Sequence, residues 1–173
     1  EPGVAEATEQ YAHEILRAAT PRILEDMLRM FRGGAVAPAF DRMLSLGVLE
    51  VLLPELHAYL RDHAREGNTD ELEAMRAALR TADRWRQQGR DVAPCVQLAL
   101  LLAPVLMQSI ADTNVRDAGA QINDALKPIA QRLSISRRDQ ERIRQVLIAQ
   151  GRLAPRKKRR RRFSVSAFVR RAY

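Results

Sequence analysis

Val96-Gln-Leu-Ala-Leu-Leu-Leu-Ala-Pro-Val-Leu-Met107 is the most apolar stretch of this 173-residue chain. A helix that crosses a bilayer needs about 18 or more apolar residues in succession. This run is shorter, and Gln97 and Pro104 interrupt it. It reads as a buried core helix, opened by Pro94 and running from Cys95 to about Ile110, with a kink expected at Pro104. No longer apolar run exists, so no membrane partner is expected.

On both sides of that segment, Gly and Pro cut the sequence into helix-length pieces, and the alternation of a strand is scarce. A first helix is expected from about Ala5 to Ala19. Thr20-Pro21 then has the form of a helix start, with a capping hydroxyl and Pro at the first helical position. Ile23, Leu24, Met27, Leu28 and Phe31 follow on one face, and Gly33-Gly34 ends the helix. Ala39, Phe40, Met43, Leu44 and Leu46 mark the next piece, which stops at Gly47. Val48 to Leu53 is too continuously apolar for a surface loop and predicts a short buried helical turn. Pro54 opens a helix to about Arg65, closed by Gly67. Asn68 or Thr69 would cap the next one, with Leu72, Met75, Ala78, Leu79, Ala82 and Trp85 on its apolar side, ending near Gly89.

Beyond the apolar run, a helix is expected from about Asn114, carrying Ile122, Leu126, Ile129 and Leu133, with a kink or break at Pro128. Ser136-Arg-Arg-Asp139 resembles a capping box in which Asp is shorter than the usual Glu or Gln. Ile143, Val146 and Leu147 then point inward before Gly151, and Ser164 would cap a last helix holding Phe168. The expectation is an all-α fold, an irregular multi-helix domain of about eight short helices. The spacings do not repeat, which argues against a solenoid.

The charge is segregated. Residues 1–155 hold 20 of the 29 Lys and Arg and all 21 Asp and Glu, a balance of −1; residues 156–173 hold nine basic residues and no acidic one, +9. The chain therefore divides into a nearly neutral helical body, 1–155, and a basic segment, 156–173, that starts a further helix. Such an arrangement points to a polyanionic partner. Cys95 is the only cysteine, so neither an internal disulfide nor a cysteine metal site is available. Glu1, Glu6, Glu9 and Glu14 make the start acidic and unlike an export signal, so a cytoplasmic location is expected.

Catalytic chemistry is hard to find. His13, His57 and His63 lack the spacing of a two-histidine zinc site and read as structural or solvent-facing. Glu71-Leu-Glu73 would suit magnesium on a strand, but at a helix start residues two apart diverge, and Asp70, Glu71 and Glu73 more simply complement the helix dipole. Gly33-Gly34 lacks the Lys-Ser or Lys-Thr of a phosphate loop. No catalytic residue, metal site or cofactor is expected in this chain.

Arg156, Lys157, Lys158, Arg159, Arg160, Arg161 and Arg162 are seven adjacent like charges, whose mutual repulsion a polyanion would offset. A solvated tail and a localisation-type signal are the competing readings. Helical sequence with Phe163, Val165, Phe168 and Val169 resumes at once, which favours nucleic acid. Arg137, Arg138, Arg142 and Arg144 precede the run, and Arg170 and Arg171 follow it. For the scattered arginines, pairing with Asp139 or Glu141 stands level with RNA contact. Aromatic residues do not interleave with the run, so contacts would be made to the backbone with little sequence preference.

Two stretches resemble the part of bacterial poly(A) polymerases that follows the catalytic head. One is Arg22 to Gly34 with Ala39-Phe40 and Leu46-Gly-Val-Leu-Glu-Val-Leu-Leu-Pro-Glu-Leu56, similar to the family's neck: a helix, a glycine break and a pro-glu-leu ending. The other is Arg152 to Tyr173, where a basic cluster precedes Phe168-Val-Arg-Arg-Ala-Tyr173. The related CCA-adding enzymes share the neck but do not usually carry the basic stretch. The resemblance implies RNA-facing roles for Arg152, the Arg156–Arg162 run, Arg170 and Arg171, with Arg137 and Arg138 as secondary candidates. It implies single-stranded RNA 3′ ends as partner, and a head in cis, upstream of Glu1, that uses ATP and Mg. The head's gly-ser turn, paired aspartates and nucleotide-reading motif are absent here, so this chain alone is not expected to polymerise. The alternative is a self-sufficient helical adaptor for nucleic acid or protein; the Glu-rich start without Met and the ending at Tyr173 favour a fragment.

Overall fold

The computed structural model describes residues 20–111 and 117–153, with Ala7 and Glu14 as isolated positions. The helix expected over residues 5–19 and the one expected after Ser164 lie outside the described residues. Within them run eight helices: α1 Thr20–Gly33, α2 Val36–Ser45, α3 Val48–Leu52, α4 Pro54–Arg65, α5 Asp70–Gln87, α6 Pro94–Gln108, α7 Ala118–Arg132 and α8 Arg137–Leu153. No strand occurs among the described residues, and the fold is all-α.

The apolar run is the axis of the domain. A helix apolar on every side must be covered on every side, and eleven of the fifteen residues of α6 are buried. α1, α4, α5, α7 and α8 all pack against it. Leu98, Leu101, Leu102 and Leu106 are each at most 2% exposed, and burying one such side chain stabilises by roughly 2 kcal/mol. α8 lies along α6 through Ile143 and Leu147, both fully buried. On the other side, Met27 and Phe31 of α1 and Met75 and Leu79 of α5 complete the core.

Helix ends follow the punctuation. At the end of α1, Gly34 N–H bonds to Phe31 O at 3.1 Å and Ala35 N–H to Met30 O at 3.2 Å. This pairing requires a left-handed residue, and Gly34 has φ +67°. The same bonding closes α4 at Gly67-Asn68 and α5 at Gly89-Arg90. Of the two expected caps of α5, Asn68 acts: its Oδ1 accepts from Asp70 N–H at 3.2 Å, whereas Thr69 makes no side-chain cap. Ser136 forms half of the expected box. Its Oγ accepts from Asp139 N–H at 3.1 Å, and the short Asp139 carboxylate reaches only the Ser136 hydroxyl, at 2.7 Å.

Two expectations are corrected. α7 begins at Ala118, with Ala120 and Gln121 N–H bonding to Asp117 O, rather than near Asn114; residues 112–116 lie outside the described residues. Pro128 does not break α7, and α6 likewise continues through Pro104. Each proline removes one backbone donor, but Leu126 and Ile129 are anchored in the core at 1% and 0% exposure. Their burial outweighs the single lost bond.

Candidate nucleic-acid interface

Arg156 to Arg162, Arg170 and Arg171 lie outside the described residues. Arg152 falls in the last turn of α8, and its side chain is likewise outside the description. The helix leading to the basic run is nevertheless in place. α8 is seated on α6 and α7, and Arg156 follows its last residue, Leu153, by three positions.

Arg137 and Arg138 open α8 and are exposed. Among the described residues neither makes an ion pair, and the same holds for Arg142; Arg144 is tied to Glu141. Asp139 is occupied by Ser136. The pairing reading therefore holds for Arg144 alone. Arg137 shares a shallow polar concavity with Lys127, Gln131 and Gln140. Two cations meeting beside a helix start form a local positive surface.

The other end of the molecule is organised around the break between α1 and α2. Asp83 of α5 is buried, and its carboxylate accepts from the first two backbone N–H groups of α2, Val36 at 2.8 Å and Ala37 at 2.9 Å. It caps a helix remote in sequence and faces the positive end of its dipole. Three residues on, Arg86 Nε donates to Arg32 O at 2.7 Å, at the closing end of α1. One turn of α5 thus grips both helix ends at the corner. A Cβ on Gly34 would lie 3.5 Å from Arg86 Cγ, so the corner lies close against α5.

Sequence reasoning missed these polar anchors. Glu71 is buried and accepts from Tyr59 Oη at 3.0 Å, a role the dipole reading did not anticipate. Burial first, and then the Glu71 carboxylate, push the Tyr59 phenol well above its ordinary value, so it stays a donor. The available signal was position. Glu71, Met75, Leu79 and Asp83 recur every four residues, which puts two carboxylates on the apolar stripe of α5. Arg132 of α7 makes a two-pronged bond to Glu55 of α4 at 2.6 and 2.9 Å, and also donates to Leu52 O. Burial acts to raise the Glu55 carboxyl, but the Arg132 hydrogen bond, a backbone bond and the Arg132 charge together leave it below its ordinary value.

A cleft opens where the ends of α1 and α8 meet α5 and α6. Phe31, Arg86, Gln97, Leu100, Val146 and Gln150 line it, with Arg90 and Val92 from the α5–α6 loop. It brings the neck-like N-terminal helix beside the helix that leads to the basic run. Among the described residues, no group of three His, Cys, Asp or Glu is placed to hold a metal, and no helix is long and apolar enough to cross a membrane.

No curated protein and no solved structure matches the chain. One family model does, over residues 1–60, and its description is the probable RNA and SrmB-binding site of polymerase A. The match includes Arg22 to Leu56, one of the two stretches that carried the resemblance, and leaves Arg152 to Tyr173 untouched. Over residues 1–60, α1 to α3 and most of α4 included, this chain carries the RNA-binding region of polymerase A.

Proposed function

We propose that this chain is the RNA-holding part of a template-independent polynucleotide adenylyltransferase. The match of residues 1–60 to the polymerase A RNA-binding region carries the reading. The +9 segment at 156–173 supports it as the store of charge that would hold a phosphate chain. On this reading the primer's 3′ end is held on the helical body, and its local concentration rises at a head domain in cis. That head would supply ATP, Mg and the transfer chemistry. The residues proposed to face RNA are Arg152, Arg156–Arg162, Arg170 and Arg171, with Arg137 and Arg138 on the exposed start of α8. The matched description also names SrmB, so α1 and α2 are the proposed seat of any protein partner.

The test is the affinity of the chain for a single-stranded RNA across a salt series. A log–log slope of roughly −0.7 per phosphate contact is expected, so engagement of most of the run gives a steep fall. Replacing Arg159, Arg160, Arg161 and Arg162 with Glu should abolish most of the binding. Unchanged affinity in that variant would remove the run from the site. No RNA binding by the parent chain at low salt would overturn the whole proposal.

A further inference from the structure

We propose that the cleft between α1, α5, α6 and α8 is a base-reading subsite, which accepts the amino-bearing edge of an RNA base on Gln97 Oε1 and the neighbouring phosphate on Arg90. The inference rests on the RNA-binding reading above and adds to it a preference among bases, which a backbone-only contact would lack.

Gln97 lines the cleft at 5% exposure. Its Nε2 donates to Val92 O at 2.7 Å. That bond fixes the amide, because the flipped arrangement would set two carbonyl oxygens against each other. The remaining Oε1 is a buried acceptor without a hydrogen-bond partner among the described residues, the only such side-chain atom there. A buried acceptor left unmade is costly, and an occupant that satisfies it must bring an N–H or O–H group.

The walls say what carries that donor. Phe31, Leu100 and Val146 make the cleft mainly apolar, and its enclosed part has a volume of about 50 Å³. This space takes the edge of a planar ring and leaves the sugar and phosphate outside. The cations nearby suit the phosphate. Arg86 is engaged by Arg32 O and Asp91. Arg90 is exposed and touches only the face of Trp85, its guanidinium carbon 5.8 Å from the ring centre. An apolar ring with a donor edge and a phosphate beside it is a nucleotide. The strand is at hand as well, because Gln150 on the rim precedes Arg156 by six residues, which an extended chain spans in about 20 Å.

Chemistry then separates the bases. Cytosine, adenine and guanine carry an exocyclic amine that can donate to Gln97 Oε1. Uracil has a carbonyl where cytosine has its amine, and its imino N–H lies between two carbonyls, so acceptor would face acceptor. Cytosine and uracil are nearly equal in size and shape, so the contrast between them isolates this one contact.

The experiment compares the full chain's affinity for twelve-nucleotide oligo(C) and oligo(U) at one ionic strength, repeated with Gln97→Leu. Oligo(C) should bind roughly threefold to tenfold more tightly, the range of one neutral hydrogen bond. Gln97→Leu should remove the difference while leaving oligo(U) affinity and its salt dependence unchanged. Equal binding of the two oligomers by the parent chain would overturn the subsite and leave the RNA reading standing. A preference that survives Gln97→Leu would place the discrimination elsewhere and also overturn it. Binding of neither oligomer at low salt would defeat both. The oligo(C) and oligo(U) comparison on the parent chain decides the matter even where the variant is poorly folded.

Discussion

α6 and the α1–α2 corner are held by opposite means. α6 is seated by hydrocarbon: its leucines meet five other helices, and its one conspicuous polar side chain, Gln97, is only half satisfied. The corner is seated by three specific polar bonds from one turn of α5, the Asp83 carboxylate to Val36 and Ala37 N–H and the Arg86 guanidinium to Arg32 O. Hydrocarbon burial is non-directional and tolerates small displacements of one helix along another. A carboxylate bonded to two successive N–H groups does not. The corner belongs to the stretch that matches an RNA-binding region, and there the fold fixes orientation as well as stability.

The largest effect is expected in the apolar seat. Leu102→Asp places an unpaired charge at a site 1% exposed, at a cost on the order of 4 kcal/mol or more. Most of the stability of a domain this size would go, and helical circular dichroism should collapse at ambient temperature. A variant that keeps parental helicity and urea midpoint would show that α6 is not the core.

Asp83→Ala comes next, at roughly 2 kcal/mol, because it strips the partners of two backbone donors at the start of α2. Asp83→Asn, which keeps one acceptor, should fall between it and the parent. Urea denaturation distinguishes the three. Equal stability of Asp83→Ala and parent would mean that water caps α2 equally well and that the corner is not fixed from α5. Gly34→Ala should cost about 1 kcal/mol through its left-handed φ. The open 3.5 Å contact with Arg86 means that sterics add little. A change at neighbouring Gly33, where an added Cβ would meet nothing within 4 Å, serves as the control.

The same contrast explains what could be read in the sequence. α6 was legible because apolar run length and Pro94 alone set its limits, and α1 to α5 were legible because each ends on a glycine with a left-handed φ or begins on proline or Asn68. The corner was not. Asp83 and Val36 are 47 positions apart, and nothing local says that a carboxylate will cap a helix so remote. Gln97 looked like an interruption of an apolar run, and only the surrounding fold shows that half of its amide has no partner. Arg132–Glu55 and Tyr59–Glu71 are hidden for the same reason: a bond across elements leaves no periodicity. Arg137 and Arg138 were legible as charges, while their lack of ion-pair partners among the described residues was not. Helix starts such as Ala118 were misplaced because capping is local geometry, and several neighbouring polar residues offered equal signals.

The smallest expected effect tests a polar link outside the corner, between α4 and α7. Glu55 and Arg132 keep 27% and 21% of their side-chain surface exposed, so their pair is only partly screened by solvent and contributes about 1 kcal/mol. Its pH dependence is what identifies it. The folded Glu55 carboxyl lies below its ordinary value of 4.5, so the folded state binds fewer protons than the unfolded chain in that window. Its contribution is therefore complete above 4.5 and is lost as the pH falls through the lower, folded value. Arg132→Met removes the hydrogen bond and the charge and leaves burial, which acts in the opposite sense. Between pH 7 and pH 3 the parent should lose more stability than Arg132→Met, by about the contribution of the pair. Other depressed carboxylates, Glu141 among them, act equally in both chains and cancel from the difference. Parallel losses in the two chains would reduce the Arg132–Glu55 contact to surface decoration. In that case α4 and α7 are joined by packing alone, as α6 is to its neighbours.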